Sequence, residues 1–232
     1  LVIAYNSLME KQQNRILGKN YRSIRHIFGS KNPDSDKYLD PIKQAFLTKK
    51  HRGNDLIINL EKYDGTNTGV VKVDDIIYPI TRQGYKATSS PFRMHHDFAD
   101  WVKFEDGIFD FLKNGERLVF EWLGSHGLSY SGGNIVLLDM FDSNNKRVPF
   151  FDLINLHCKV PLARVLHMGR QISIDDSMAL LMDSHTHDIK CNDTPEGMVY
   201  RREVEGKFDY MGKFVRHDFE AGKNFNIIEQ TI

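Results

Sequence analysis

The residues most able to do chemistry begin at the end of the run Leu56-Ile57-Ile58-Asn59-Leu60-Glu61-Lys62. Strand alternation places Leu56, Ile58, Leu60 and Lys62 on one face, and Asp64-Gly65 then supplies a turn. An amine on that face is aimed at the core. Burial or a neighbouring cation would lower its pKa and provide the neutral form that a nucleophile requires. A lone K-x-D-G more often closes a strand at the surface, so the weight falls on the charged residues that follow in order.

Arg82 ends the next strand-like segments within Thr81-Arg82-Gln83-Gly84, and its planar fork can pair two phosphate oxygens at once. Glu121 stands in Leu118-Val119-Phe120-Glu121-Trp122-Leu123-Gly124 on the face of Val119 and Leu123, where a buried carboxylate needs a partner. Glu196 lies in Pro195-Glu196-Gly197-Met198-Val199-Tyr200-Arg201, and Lys213 in Met211-Gly212-Lys213-Phe214-Val215-Arg216.

Taken together, these segments resemble the covalent nucleotidyltransferase superfamily of DNA ligases, RNA ligases and mRNA capping enzymes. Lys62-Tyr63-Asp64-Gly65-Thr66-Asn67 resembles its motif I, and the segments carrying Glu121, Glu196 and Lys213 resemble motifs III, IV and V. Asn67 is similar to the RNA ligase branch. The stretch Val160 to Gly169 looks like the strand preceding motif IV in RNA ligases, so the resemblance spans Asp55 to Arg216. It implies an α+β, ATP-grasp-like nucleotidyltransferase domain with antiparallel sheets flanked by helices.

The activity implied is that of an ATP-dependent RNA ligase: ATP forms a lysyl-AMP on Lys62, and AMP passes to an RNA 5′-phosphate that is then sealed to a 3′-hydroxyl. Lys62 and Lys213 would be catalytic; Glu61, Lys62, Asn67, Arg82, Glu121, Glu196 and Lys213 would bind the nucleotide. Glu196 would bind Mg²⁺ or Mn²⁺, for which one or two carboxylates and the phosphates suffice. Two departures stand out: Leu138 occupies the place of an adenine-stacking aromatic, with Phe141 as a substitute, and Val215 occupies the place of a second lysine, with Arg216 next to it. The alternatives are a DNA ligase or end-adenylylating enzyme, and an inactive RNA-end-binding module.

These residues need strands to hold them. Strand-like runs fall at 55–62, 69–73, 76–82, 117–123, 134–140, 163–168, 197–204 and 208–215. Helical spacing appears at Leu8 to Leu17, Asp40 to Leu47, Phe98 to Leu112, Phe151 to His157 and Ile174 to Met182, the last capped by Asp175 or Asp176, and a turn-rich break falls from Gly29 to Asp34. A mostly helical segment over residues 1–50 and a catalytic domain over 51–232 are expected.

The bulk composition restricts the class. Lys plus Arg equal Asp plus Glu at 31 each, so a polyanion-binding surface must come from uneven placement of charge. Lys49-Lys50-His51-Arg52 is one cluster that could receive RNA phosphates. Cys158 and Cys191 are the two cysteines, which fits a reducing, cytoplasmic compartment and excludes a disulfide scaffold. No run reaches the roughly 20 apolar residues of a membrane-spanning helix. His95-His96 and His185 to Asp188 lack metal-site spacing and read as surface residues. A monomer is expected, and because the chain begins at Leu1 and ends at Ile232 it is either a trimmed or a minimal enzyme.

Overall fold

Strands β2 (Asp55–Lys62), β8 (Val165–Gly169), β10 (Gly197–Val204) and β11 (Lys207–Val215) join a short β1 (Arg25–His26) in a five-stranded sheet of order β1-β11-β10-β2-β8. All its pairings are antiparallel except β1 with β11. A four-stranded antiparallel sheet has the order β4 (Ile76–Thr81), β3 (Thr66–Val73), β5 (Arg117–Trp122), β7 (Ile135–Phe141), and β6 (Tyr130–Ser131) pairs with β9 (Lys190–Cys191). This is a computed structural model, and it describes residues 14–32, 36–50, 53–105, 107–124, 127–156 and 158–220.

The apolar run of β2 is continuous because both of its faces are covered. Ile58 and Leu60 enter the core shared with the second sheet, against Val70, Leu118, Phe120 and Leu137. Ile57 points the other way, into a layer of Ile27, Leu47, Met198 and Tyr200. Helix α1 (Pro41–Thr48) contributes Leu47 to that layer and α4 (Ile174–Met182) contributes Met178. The amphipathic helix α2 (Arg93–Phe104) closes the main core with Met94, Phe98 and Val102, each such burial contributing about 1.5–3 kcal/mol. A one-turn helix, α3 (Phe150–Ile154), adds Phe150 and Leu153.

An ionic network ties the sheets together. Arg201 of β10, fully buried, donates to Asp139 Oδ1 of β7 at 3.0 Å and to Glu203 Oε1 at 2.8 Å, and Arg147 Nε reaches Asp139 Oδ2 at 2.5 Å. The antiparallel, mixed α+β architecture is the one the resemblance implies, and most expected strands agree with the observed ones to within three residues.

Several local expectations are corrected. Helix α2 starts at Arg93 and ends at Phe104 rather than spanning Phe98 to Leu112, because Gly107 adopts a positive φ of 79° and turns the chain. Phe109 and Leu112 are still buried, but from turns. The α4 cap is Ser173, whose hydroxyl accepts from the Asp176 amide at 3.0 Å. Within residues 1–50, the described helix is α1 alone; Arg25–His26 is a strand because the edge of β11 offers it a ladder. The expected Leu8 to Leu17 helix lies outside the described residues but for positions 14–17, where the Ile16 and Leu17 amides bond Gly84 O. Pro33, Asp34, His51, Arg52 and His157 also lie outside them.

Candidate active site

At the C-terminal end of β2 a cleft opens between residues of the two sheets. Glu61, Lys62, Asn67, Arg82, Glu121 and Lys213 line it. Glu196, from the loop before β10, is hydrogen-bonded to Lys62 Nζ. All seven residues singled out from the sequence therefore meet in one place, brought from six separate chain segments.

Backbone geometry explains why glycines flank them. A Cβ on Gly65 would come within 2.6 Å of Trp122 O and 2.8 Å of Glu121 Cγ, so only glycine lets the turn after Lys62 lie against β5. At Gly197 a Cβ would sit 2.0 Å from Phe214 O, so glycine lets the start of β10, next to Glu196, approach β11. These contacts fix Glu121 and Glu196 on either side of the lysine.

The charge state of Lys62 differs from the expectation. Burial pushes its pKa down, but the carboxylates of Glu196 and Glu121 and the hydrogen bond Lys62 donates to Glu196 outweigh burial, and the net shift is upward. The resting side chain is an ammonium in an ion pair, not a neutral amine. Sequence reading supplied the burial and omitted the three acidic neighbours, Glu196, Glu121 and Asp64. Their own titrations respond to burial: Glu121 is pushed up to about 7, and Glu196 and Asp64 are raised, each despite the opposing charge of Lys62.

Around this centre each remaining side chain has a definite environment. Asn67 Nδ2 donates to Phe120 O at 3.3 Å and Glu121 Oε2 at 3.4 Å. Arg82 donates to Tyr21 O and to Ser23 Oγ, at 3.4 and 3.1 Å. Glu61, buried, accepts from Arg164 Nη1 at 3.4 Å through Oε2, and burial raises its pKa. Its Oε1 has no hydrogen-bond partner among the described residues. Lys213 donates to Asp36 Oδ2 at 3.0 Å, and the same oxygen lies 3.1 Å from His26 Nε2. The Lys213 hydrogen bond holds the Asp36 carboxyl below the usual range. Burial and the nearby Lys213 push His26 down.

The two departures from the motif pattern resolve differently. Val119 pairs with Asp139 and Phe120 with Leu137, so Leu138 is the extra residue of a β-bulge and its side chain lines the cleft. Bulges re-aim side chains in this way beside active sites. Phe141 does not reach the cleft: it is buried 3.8 Å below the Arg117 guanidinium and edge-on to Tyr21. Arg216 is not a second cation of the site either. It donates to Pro195 O at 2.6 Å and Thr194 O at 3.2 Å and pairs with Asp218, bracing the loop that carries Glu196 from behind.

Tyr21, Arg22, His26 and Asp36 were not found from the sequence, each an isolated polar residue in no motif and recognisable only once the chain is folded; Arg164 lies in the quoted stretch Val160 to Gly169 but was given no role there. The histidines set aside are structural rather than exposed. His95 Nδ1 lies 2.5 Å from Ser90 Oγ, and His187 Nε2 lies 2.8 Å from Leu162 O. Among the described residues no three His, Cys, Asp or Glu side chains form a cage for a metal ion. No described helix is long and apolar enough to cross a membrane.

Comparison with known proteins yields one family and one fold. A family model described as RNA ligase matches residues 55–215. No curated protein matches the sequence. Among solved structures, an archaeal ATP-dependent RNA ligase superposes with a TM-score of 0.51 at 14% identity, covering 86% of this chain and 48% of its own. A Naegleria gruberi RNA ligase variant, solved with AMP and Mn, gives a TM-score of 0.51 at 17% identity over 74% of this chain and 53% of its own. An Aquifex aeolicus protein described provisionally as an ATP-dependent DNA ligase gives 0.51 at 17%, over 86% and 50%. The chain thus spans about half the length of these structures.

Proposed function

The chain belongs to the RNA ligase family, and from that membership we propose that it is an ATP-dependent RNA ligase working through a covalent lysyl-AMP on Lys62. The observation that carries this reading is the convergence of Lys62, Glu196, Glu121, Arg82 and Lys213 on one cleft. A nucleophile between carboxylates, facing two phosphate-pairing cations, suits nucleotidyl transfer and little else.

In the first step the Lys62 nitrogen forms a bond to the α-phosphorus of ATP, and the bond to the β-phosphate oxygen breaks, releasing pyrophosphate. The phosphoramidate then breaks as an oxygen of the RNA 5′-phosphate takes the AMP. Finally a 3′-hydroxyl oxygen attacks that 5′-phosphorus and AMP leaves. Positioning and charge stabilisation supply the rate, with Lys213 and Arg82 facing the oxygens that gain charge. Lys62 must first lose its proton, and the same carboxylates that hold it as an ammonium resist that loss.

The oxygen donor Glu196, together with nucleotide phosphates, fits Mg²⁺ or Mn²⁺, which one or two carboxylates suffice to hold. Glu196 would hold it, and when bound the ion supplies positive charge that offsets the carboxylates and favours the neutral amine. The buried Glu61 Oε1, without a partner among the described residues, is an acceptor suited to an N–H of the nucleotide base.

The test is incubation with α-³²P-ATP or α-³²P-GTP and Mg²⁺ or Mn²⁺, followed by a denaturing gel. Label from ATP on wild type, absent in Lys62→Ala, is the expected result. Label from GTP alone would replace the reading with capping chemistry, and label from neither would refute it.

A further inference from the structure

We propose that a second groove, beside the nucleotide cleft, is the track for the phosphodiester backbone of the RNA strand; the identity of the polyanion rests on the ligase reading above. The groove, of about 1820 Å³, lies between residues 17–22, the loop 143–147 and the start of β11. Lys19, Arg22, Arg117, Lys146, Arg147 and Lys207 line it, and no Asp or Glu does. In a chain with 31 basic and 31 acidic residues this is a strong local segregation of charge.

Arg147 is engaged by Asp139. The other five cations have no ion pair among the described residues. Asp142, on the same hairpin, turns its carboxylate onto the amides of Asn144 and Lys146, at 3.0 and 2.8 Å. Arg117 marks the groove most clearly. It is 5% exposed, donates to Asn145 Oδ1 at 2.6 Å and Asn20 O at 3.3 Å, and its Nε has no partner among the described residues. Burial lowers its pKa to about 10. Asp139 and Asp142 act on it through space without forming an ion pair, so its charge is only partly offset and adds to the positive potential of the groove.

Arg22 lines both the groove and the cleft, so a strand lying in the first runs directly into the second. That continuity favours RNA over an acidic protein segment, because the end of a bound strand arrives where Lys62 and Arg82 stand. Phosphate contacts of this kind give affinity and register without reading sequence.

The experiment is fluorescence anisotropy of a dye-labelled, 5′-phosphorylated single-stranded RNA across a KCl series, without ATP. Wild type is compared with Lys19→Gln/Lys146→Gln/Lys207→Gln, three exposed positions. Each lost phosphate contact removes about 0.7 from the slope of log affinity against log salt, so the slope falls by about 2 and affinity at 0.1 M KCl by about 100-fold. Labelling of the variant by ATP, which needs no RNA, stays at the wild-type level.

Unchanged RNA affinity and slope would overturn the groove while leaving the ligase reading intact; absent ATP labelling in wild type would do the reverse. Polyglutamate competing as well as RNA at equal charge would also overturn it, in favour of a protein partner. Should the triple variant not fold, Lys146→Gln and Lys207→Gln singly read the same effect, about 0.7 in slope each.

Discussion

Replacing Arg201 by Met keeps most of the side-chain volume and removes the charge that joins the two sheets. Three bonds are lost, to Asp139 Oδ1 at 3.0 Å, Glu203 Oε1 at 2.8 Å and Val148 O at 2.5 Å. Asp139 is not abandoned, since Arg147 still reaches it at 2.5 Å. Glu203 fares worse: it retains the Phe150 amide at 2.9 Å, its Oε2 has no partner among the described residues, and it is fully buried. Leaving one member of such a pair uncompensated costs about 3–5 kcal/mol, most of it here at Glu203. With about 2–4 °C lost per kcal/mol in a chain of this size, melting falls by roughly 10–15 °C. Thermal melts followed by circular dichroism, with urea titrations at pH 7, measure this. Arg201→Met/Glu203→Gln should recover at least half of the loss, because the stranded charge is gone. A cost below about 1 kcal/mol in the single variant, or no recovery in the double, would refute the assignment of the energy to a buried, unpaired Glu203.

Two further outcomes follow from the cleft. Gly65→Ala places a Cβ 2.6 Å from Trp122 O and must push the turn off β5, displacing Lys62 relative to Glu121; labelling by ATP should fall about 100-fold together with a lowered melting temperature, and undiminished labelling would show that the close approach is dispensable. Glu121 is raised by burial from 4.5 to about 7, so the folded protein keeps this proton at pH values where the unfolded chain has lost it. Its contribution is fully present below about pH 4.5 and is lost as pH rises through 7. Glu121→Gln should therefore melt higher than wild type at pH 8 without nucleotide or metal, with the gap closing toward pH 4.5; a gap independent of pH would count against the shift.

What could be read from the sequence followed local periodicity. Strand β2 was legible to the residue because its apolar run ends in a charge and a turn, and α4 because its spacing is uninterrupted. The end of α2 was not, since Phe109 and Leu112 continue a helical apolar rhythm across Gly107. In the site, charged residues on strand-like runs stood out, whereas Asp36 and His26 carry no pattern and act only because β1 lies beside β11. The sign of the Lys62 shift was beyond reach for a related reason. It depends on how many carboxylates surround the amine in space, and two of them, Glu121 and Glu196, arrive from a distant strand and a distant loop.

The order β1-β11-β10-β2-β8 also sets a clock on synthesis. Strand β2 leaves the ribosome early, but its neighbour β10 and that strand's neighbour β11 are made last among the described strands. Lys62 and its partner Glu196 are 134 residues apart. At about 5–20 residues per second the lysine waits on the order of 10 s before its sheet can close around it. Until β8 is made β2 is an apolar strand with both edges open, and one edge stays open until β10 follows, the kind of segment that chaperones cover and that aggregates when they do not. The nascent chain is thus most vulnerable over the same interval in which Lys62 lacks its partner Glu196.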